Sequence, residues 1–446
     1  RTHATVFSKS FHGTTVGTDL VRELDQTRRL GYVQLHWRKP SDWLSRVSVS
    51  LSRHEKDEDE TRIRSNGRRT QQGSDDATTG AWIQLESPSP IGRFTYGVEE
   101  YHDEVDSASR VMNPDGSLRS RSPRGPVADE ASYDLLGVYA QDRFEPVDRL
   151  EVIVGGRYNF AHAAADEVDP DPADATDFGD LDEDYQAAVG SLRTVFRATP
   201  GWNLFGGASQ GFRAPNLSDL TRFDVARSGE VETPAPDLEP EKYLTFEGGT
   251  KVRSEEWRVE GHAAYHYTII RDMIVRFPTG DTIDGLPEVT KDNVGDGFVH
   301  GVELGLSWSF YDGFTAFTSF AWLEGETDTF VGSEKKRKPL SRIQPATSLA
   351  GLRWDSKSKK YFVEGTVLIA DDQSRLSPED RADTQRIPPG GTPGYTVYTV
   401  RGGAEVIDGL KLFAGVENVT DRDYRVHGSG QNEPGTNAIL GADWRF

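Results

Sequence analysis

Asn437-Ala438-Ile439-Leu440-Gly441-Ala442-Asp443-Trp444-Arg445-Phe446 closes the chain. In an extended backbone Ala438, Leu440, Ala442, Trp444 and Phe446 share one face. Asn437, Asp443 and Arg445 share the other, with Ile439 and Gly441 between them. Apolar against polar with a period of two, ending on an aromatic, suits a strand with one side in hydrocarbon and the other in water. Hydrocarbon solvates no charge, so the lipid side is apolar, whereas a wet interior accepts polar groups. A half-buried edge strand reads the same way, so the weight lies in the repetition of the pattern upstream.

It does repeat. Leu150, Val152, Val154, Gly156, Tyr158 and Phe160 oppose Glu151, Arg157 and Asn159. Trp257, Val259, Ala263, Tyr265, Tyr267 and Ile269 oppose Arg258, Glu260, His262 and His266. Phe298, Val302, Leu304, Leu306, Trp308 and Phe310 oppose Glu303, Ser307 and Ser309, and Leu410, Leu412, Ala414 and Val416 oppose Lys411 and Glu417. Aromatics gather at segment ends, where membrane–water interfaces select them. About 17–18 such segments are present, according to whether the first, near Ala4–Phe11, is counted. No stretch of helical period competes with them.

The connections alternate in length. Short ones, such as Lys39-Pro40-Ser41-Asp42, Pro88-Ser89-Pro90, Tyr311-Asp312-Gly313 and Asp408-Gly409, hold turn-forming residues. Between them lie polar stretches over 54–79, 103–130, 162–184, 213–240, 278–295, 325–341, 371–393 and 419–436, read as long loops. Tight turns at one end and long loops at the other are the asymmetry of a membrane barrel. The reading is therefore all-β, a transmembrane antiparallel β-barrel, with residues 1–446 as one barrel domain.

Composition agrees. The 446 residues carry 28% charged side chains and a formal net charge of −21, with no Cys and only two Met. No run of 18 apolar residues exists, which excludes a helical membrane protein but not a barrel. The acidic balance argues against nucleic acid as a partner. No signal peptide precedes Arg1, and the chain reads as a mature or truncated fragment.

Two stretches go beyond periodicity. Gly211-Phe212-Arg213-Ala214-Pro215-Asn216 is followed by Pro236-Asp237-Leu238-Glu239-Pro240-Glu241. The first resembles the "FRAP" box of TonB-dependent outer-membrane receptors and the second their "NPxLxPE" box. Glu417-Asn418-Val419-Thr420-Asp421-Arg422-Asp423-Tyr424-Arg425 resembles the family's "xNLTDxxYR" before the last strand. The resemblance implies uptake of a scarce nutrient through a plugged barrel of about 22 strands. It also implies power from an inner-membrane TonB–ExbB–ExbD complex, a small-molecule ligand such as a metal chelate, and lipid and lipopolysaccharide around the wall. No plug, no TonB-contact box and too few strands are present, so the plug and the first strands are expected outside this sequence.

Site residues are weighed against plainer roles. In haem receptors of the resembled family a His between the two boxes ligates iron; Leu217 to Ala235 contains none, which disfavours haem. His427, in the last long loop, is a candidate haem or metal ligand, with an exposed loop histidine as the default. His262 and His266 share the lumen face roughly 13 Å apart and cannot chelate one ion. Arg213 and Asn216 read as ties between the loop base and the strand rim rather than as ligand contacts, and Pro215 ends the ladder there. Lys335-Lys336-Arg337-Lys338, with Arg342, is a solvated basic run that lipopolysaccharide phosphates or an anionic chelate would suit. The aspartates from Asp166 to Asp184 lack the EF-hand register for calcium. No nucleophile–base pair or phosphate loop stands out, and the chain is read as no enzyme. No resident cofactor is called for.

The functional expectation is a TonB-dependent receptor in a Gram-negative-type outer membrane for an iron chelate (a ferric siderophore) or similar metal complex, with cobalamin, haem or carbohydrate as other substrates. A passive porin and a soluble β-sandwich adhesin are the rivals. Phe446→Ala is expected to lower outer-membrane levels, because the closing aromatic is part of the assembly signal in this class; unchanged levels by immunoblot would refute that role.

Overall fold

A computed structural model describes residues 2–5, 9–17, 19–122, 124–125, 127–168, 180–225, 230–283 and 285–445. Phe446 and the calcium candidates Asp169, Asp171, Asp174 and Asp177 lie outside the described residues. In chain order come β1 (Thr2–Thr5), β2 (Asp19–Ser41), β3 (Leu44–Arg64), β4 (Arg69–Pro88), β5 (Gly92–Met112), β6 (Leu118–Ser122) and β7 (Asp129–Val147). Then follow β8 (Leu150–Glu167), β9 (Leu181–Thr199), β10 (Trp202–Arg213), α1 (Leu217–Thr221), β11 (Asp224–Val225), β12 (Val231–Glu232) and β13 (Glu241–Ser254). Next are β14 (Val259–Ile283), β15 (Leu286–Tyr311), β16 (Phe314–Val331), β17 (Glu334–Pro339), β18 (Thr347–Asp355) and β19 (Tyr361–Ala370). The chain ends with α2 (Pro378–Ala382), β20 (Tyr395–Ile407), β21 (Leu410–Glu417) and β22 (Asn437–Trp444).

Eighteen of these strands pair antiparallel in chain order into one wall, as the period-two count anticipates. The first is Thr2–Thr5 alone, so Phe11 lies outside it. Between the described residues of β22 and β1 or β2 no ladder is formed. The two ends of the sheet meet at the loop end instead, where Arg425 Nη2 donates to Lys9 O at 3.2 Å and Lys9 pairs with Asp423 at 3.7 Å.

Register fixes the faces. Leu410, Leu412, Ala414 and Val416 sit opposite Trp444, Ala442, Leu440 and Ala438, so the apolar set of the closing stretch faces outward with its neighbours. Leu440 is 85% exposed, which in water would be a liability and in lipid is the solvated state. Trp43, Trp257, Trp308 and Trp444 are exposed at the short-turn end, and Tyr158, Tyr265 and Tyr398 further up, as two aromatic belts. The lumen face is polar and internally paired. Glu151 accepts from Arg143 at 2.6 Å and Arg197 at 2.9 Å, and Glu364 pairs with Arg353 at 3.4 Å and Arg401 at 2.6 Å. Each carboxylate lies between guanidiniums of its two flanking strands.

Glycines on the lumen face make room for aromatic rings. A Cβ at Gly441 would stand 2.1 Å from the Phe413 ring, and one at Gly351 2.3 Å from Phe317. Each ring covers the bare backbone of the next strand, the device known as aromatic rescue.

The long polar stretches depart from the loop reading. Residues 54–79 are the upper halves of β3 and β4, turning only at 65–68, and most of 278–295 is β14 and β15. Parts of 103–130 and 325–341 are likewise strand, with β6 and β17 pairing onto β5 and β16. Above the bilayer both faces of a hairpin are wet, so the apolar face vanishes while the ladder of backbone hydrogen bonds continues. Polarity therefore marks the water line and not the end of a strand. Two one-turn helices, α1 and α2, also stand where no helix was read, each started by a capping box.

Candidate functional site

The first two boxes meet where β10 ends. Pro215 carries no N–H, so the ladder stops, and Asn216 caps α1 by accepting from Asp219 N at 2.8 Å. Arg213, on the lumen face, donates Nε to Glu241 at 2.7 Å and also pairs with Asp219. Lys291 Nζ reaches Asp219 at 3.3 Å and Glu232 at 3.0 Å, and Arg276 reaches Glu232 at 2.8 Å. Burial works against the charged carboxyls of Asp219 and Glu232, yet the cations hold both below the usual range: Arg213 and Lys291 act on the first, Lys291 and Arg276 on the second. Opposite charges thus alternate from Glu241 through Arg213, Asp219, Lys291 and Glu232 to Arg276.

Beneath this chain a small apolar core forms from Leu217, Leu220, Ala235 and Leu238 with alanines of β7 and β8, and Ala214 packs against it. Tyr133 Oη donates to Pro215 O at 2.9 Å. Asn293 exchanges two bonds of 2.7 Å with the Glu239 backbone, pinning the stretch between Pro236 and Pro240. Phe212 falls on the outward face, away from this cluster.

The C-terminal motif folds the last loop. Asn418, with φ of 47°, donates Nδ2 to Arg422 O and Pro434 O and accepts from Arg422 N, all within 3.0 Å. Asp421 accepts from Thr436 N at 3.0 Å, and the Tyr424 ring lies 4.5 Å from that of Tyr395. Arg425 is only 1% exposed. Its guanidinium donates to Asn432 Oδ1 and to the carbonyls of Gln385, Arg386 and Lys9, and stands 4.9 Å from the Phe11 ring.

His427 is buried, contrary to the exposed default. Its Nδ1 lies 2.8 Å from Thr392 Oγ1, and Nε2, 4.0 Å from Asp380, has no hydrogen-bond partner among the described residues. Thr392 and α2 close over it, which a reading of neighbouring glycines did not foresee. His262 and His266 lie over Gly305 and Gly301 on β15, each filling the notch a glycine leaves. The basic run sits on β17, where Lys335 and Arg337 pair with Asp328 on β16. Among the described residues no three His, Asp or Glu side chains are grouped to hold a metal ion.

Inside the loop end opens a cavity of about 910 Å³. Seven arginines line it: Arg22 from β2, Arg62 and Arg64 from β3, Arg222 at the end of α1, Arg276 from β14, Arg342 after β17 and Arg386 after α2. The acidic residues in the lining are Asp19, Glu230, Glu379 and Asp383. Glu60, which is 5% exposed, accepts from Arg22 at 2.6 Å and pairs with Arg62, while the buried Glu232 holds Arg276. Only Arg342 stood out in the sequence. Arg62 and Arg64 share a face by period two, a legible signal, but the convergence of six separate segments was not.

The family model for "TonB dependent receptor-like, beta-barrel" matches residues 5–419. Haemoglobin-binding protein A of Haemophilus influenzae is 25% identical over 240 residues, which are 48% of this chain and 23% of that relative. The copper transporter OprC superposes with a TM-score of 0.78 at 17% identity, covering 96% of this chain and 68% of its own. A Serratia marcescens hemophore receptor, HasR, gives 0.73 at 17% identity, with 95% and 66% covered. The siderophore receptor PiuA from Acinetobacter baumannii gives 0.70 at 14%, with 96% and 65% covered. At such identities the likeness is one of fold. Barrels of this kind are outer-membrane proteins, and the match along nearly the whole wall makes the chain a member of the TonB-dependent receptor β-barrel family.

Proposed function

We propose that this chain is the barrel part of a receptor that takes up a scarce nutrient as a metal chelate, of the ferric siderophore type, across an outer membrane. The observation that carries the reading is the cavity lined by seven arginines at the loop end of a polar lumen. Ligand enters that mouth, is held by the surrounding loops, and passes through the lumen when TonB, with ExbB and ExbD, draws on a plug. The plug, the TonB-contact segment and further wall strands belong, in this reading, to a longer protein; the chain spans 68% of OprC and the match covers 23% of the Haemophilus relative. The likeness to a copper transporter and to a siderophore receptor supports a metal-bearing cargo.

Haem is the second reading, favoured by the likeness to a haemoglobin-binding protein and opposed by the absence of His from Leu217 to Ala235. The deciding experiment is growth of a deletion strain on ferric siderophores, ferric citrate and haem, with TonB intact or removed. TonB-dependent rescue on an iron chelate is expected. Rescue that ignores TonB makes the protein a passive porin, and rescue by haem alone selects the second reading.

A further inference from the structure

We infer that the tip of the hairpins β4–β6 is a docking site for a protein partner, which lays an extended acidic segment along β6 as an added strand. The inference needs only the fold and stands apart from the uptake reading above.

Charge is the first argument. β3, β4 and β5 pair without a break in register, so the outward face can be followed upward from Ile83 and Val98 to Arg69 and Arg110. Arg121 of β6 lies directly opposite Arg110, and Arg119 stands at the bulge in that pairing. All four arginines are exposed. Among the described residues Arg69, Arg119 and Arg121 have no side-chain hydrogen bond or ion pair, and Arg110 donates Nε to Gln71 Oε1 at 2.9 Å. No carboxylate stands on β4, β5 or β6 between the level of Asp75 and Asp106 and the tip. Asp115, in the turn before β6, is engaged by the Ser117 N–H at 2.9 Å and hydroxyl at 2.6 Å. Like charges directly opposite in a strand pair repel. A carboxylate set between Arg110 and Arg121 removes that cost, and a guanidinium takes it in bidentate form.

The second argument is the backbone. Among the described residues β6 ladders onto β5 alone, and Leu118 to Arg121 are exposed, so one edge of β6 presents unpaired N–H and C=O groups. β7 pairs with β5 only as far as Val105, below β6. An extended peptide continues the ladder at that edge, and its side chains on one face then meet Arg121 and Arg110.

Third, the rival occupants are disfavoured. A second copy of the chain would bring its own β6 arginines against these, and like charges oppose that pairing. Leaflet phosphates lie too low. Arg110 is about 40 Å along the strand above Val98, where the apolar band of β5 gives way to Glu100, His102, Glu104 and Asp106. An acidic polypeptide arriving from the exterior is repelled by a molecule at −21 except at a local basic patch, which fixes where it lands.

The test titrates three synthetic peptides, to about 1 mM, into the purified full-length receptor in detergent. They are an alternating Glu–Thr peptide, the same peptide fully N-methylated on its backbone, and a Lys–Thr counterpart. The Glu–Thr peptide is expected to bind, more weakly as salt rises, and to slow hydrogen exchange at 118–122. Its affinity is expected to fall about tenfold or more on N-methylation and in R119Q/R121Q, and the Lys–Thr peptide not to bind. Failure of the Glu–Thr peptide to bind, or equal affinity in parent and variant, overturns the inference. An N-methylated peptide that binds as tightly leaves charge without an added strand and also overturns it. Protection of 118–122 that grows with receptor concentration in the absence of peptide assigns the edge to a second copy instead. Both substituted arginines are exposed and their loss relieves repulsion, and heat-modifiable migration verifies folding. Should the variant not fold, the N-methylated peptide and the salt dependence decide in the parent alone.

Discussion

Arg425 is the residue on which three distant segments converge. A guanidinium taken out of water with only carbonyls and an amide as partners is costly unless each donor is satisfied, and here the donors reach Asn432, Gln385, Arg386 and Lys9. Arg425→Ala leaves those acceptors unpaired and is expected to cost about 2–4 kcal/mol, read as faster proteolysis at 9–17 and 371–393. Arg425→Lys restores little, since an ammonium has no fork. Cleavage at the parent rate in both variants would refute the clasp. His427 nearby titrates in the opposite sense from a paired histidine. Burial pushes its imidazole below the ordinary value, Asp380 opposes and Arg342 adds to the effect. The unfolded loop therefore binds a proton more readily than the folded one, so stability of the closed loops falls as pH drops through 6.5 and levels off below the depressed folded value. Hydrogen exchange in 425–432, corrected for intrinsic rate, is expected to be faster at low pH, and His427→Gln to flatten the dependence; an unchanged slope in that variant would exclude His427 as its source.

At the scale of elements, faces decide tolerance. Leu440 points to lipid and Ile439, one residue away, to the lumen. Leu440→Arg is expected to cost about 2–4 kcal/mol, the depth-dependent price of a cation in the hydrocarbon, while Ile439→Arg costs far less. Unfolding by denaturant in detergent micelles, followed by heat-modifiable migration, compares the two; equal losses would mean the face assignment of β22 is wrong. Hairpin β3–β4 shows the complementary rule. Its strands run 21 and 20 residues, and their upper halves continue the ladder without any apolar face, because backbone pairing needs no lipid. Gly409, with φ of 78°, marks the short turn before β21, where a Cβ would stand 2.3 Å from Arg445 O.

For the whole molecule, the exposed outward face requires an apolar solvent. Val33, Leu35, Trp37, Leu51, Leu440 and Trp444 are all more than half exposed, and no helix among the described residues is long and apolar enough to cross a membrane. Extraction is therefore expected to need detergent, and unboiled protein to run ahead of boiled protein on gels. A protein that stays dispersed without detergent would defeat the membrane reading and revive the soluble sandwich. The family, the wall and its order of strands were legible because period-two alternation and turn chemistry are local, each set by a few neighbouring residues.

What the sequence determined by itself is accordingly the wall: which residues face lipid, where the tight turns fall, and the boxes that tie it to a family. Polar stretches misled at the water line, since a hairpin wet on both sides loses its pattern while keeping its hydrogen bonds. Tertiary structure alone decided that Arg22, Arg64, Arg276 and Arg386, spread over more than 360 residues, line one cavity, and that His427 is sealed from water. Those facts depend on how the loops fold back over the lumen, and contacts made at long sequence separation leave no periodic trace in the chain.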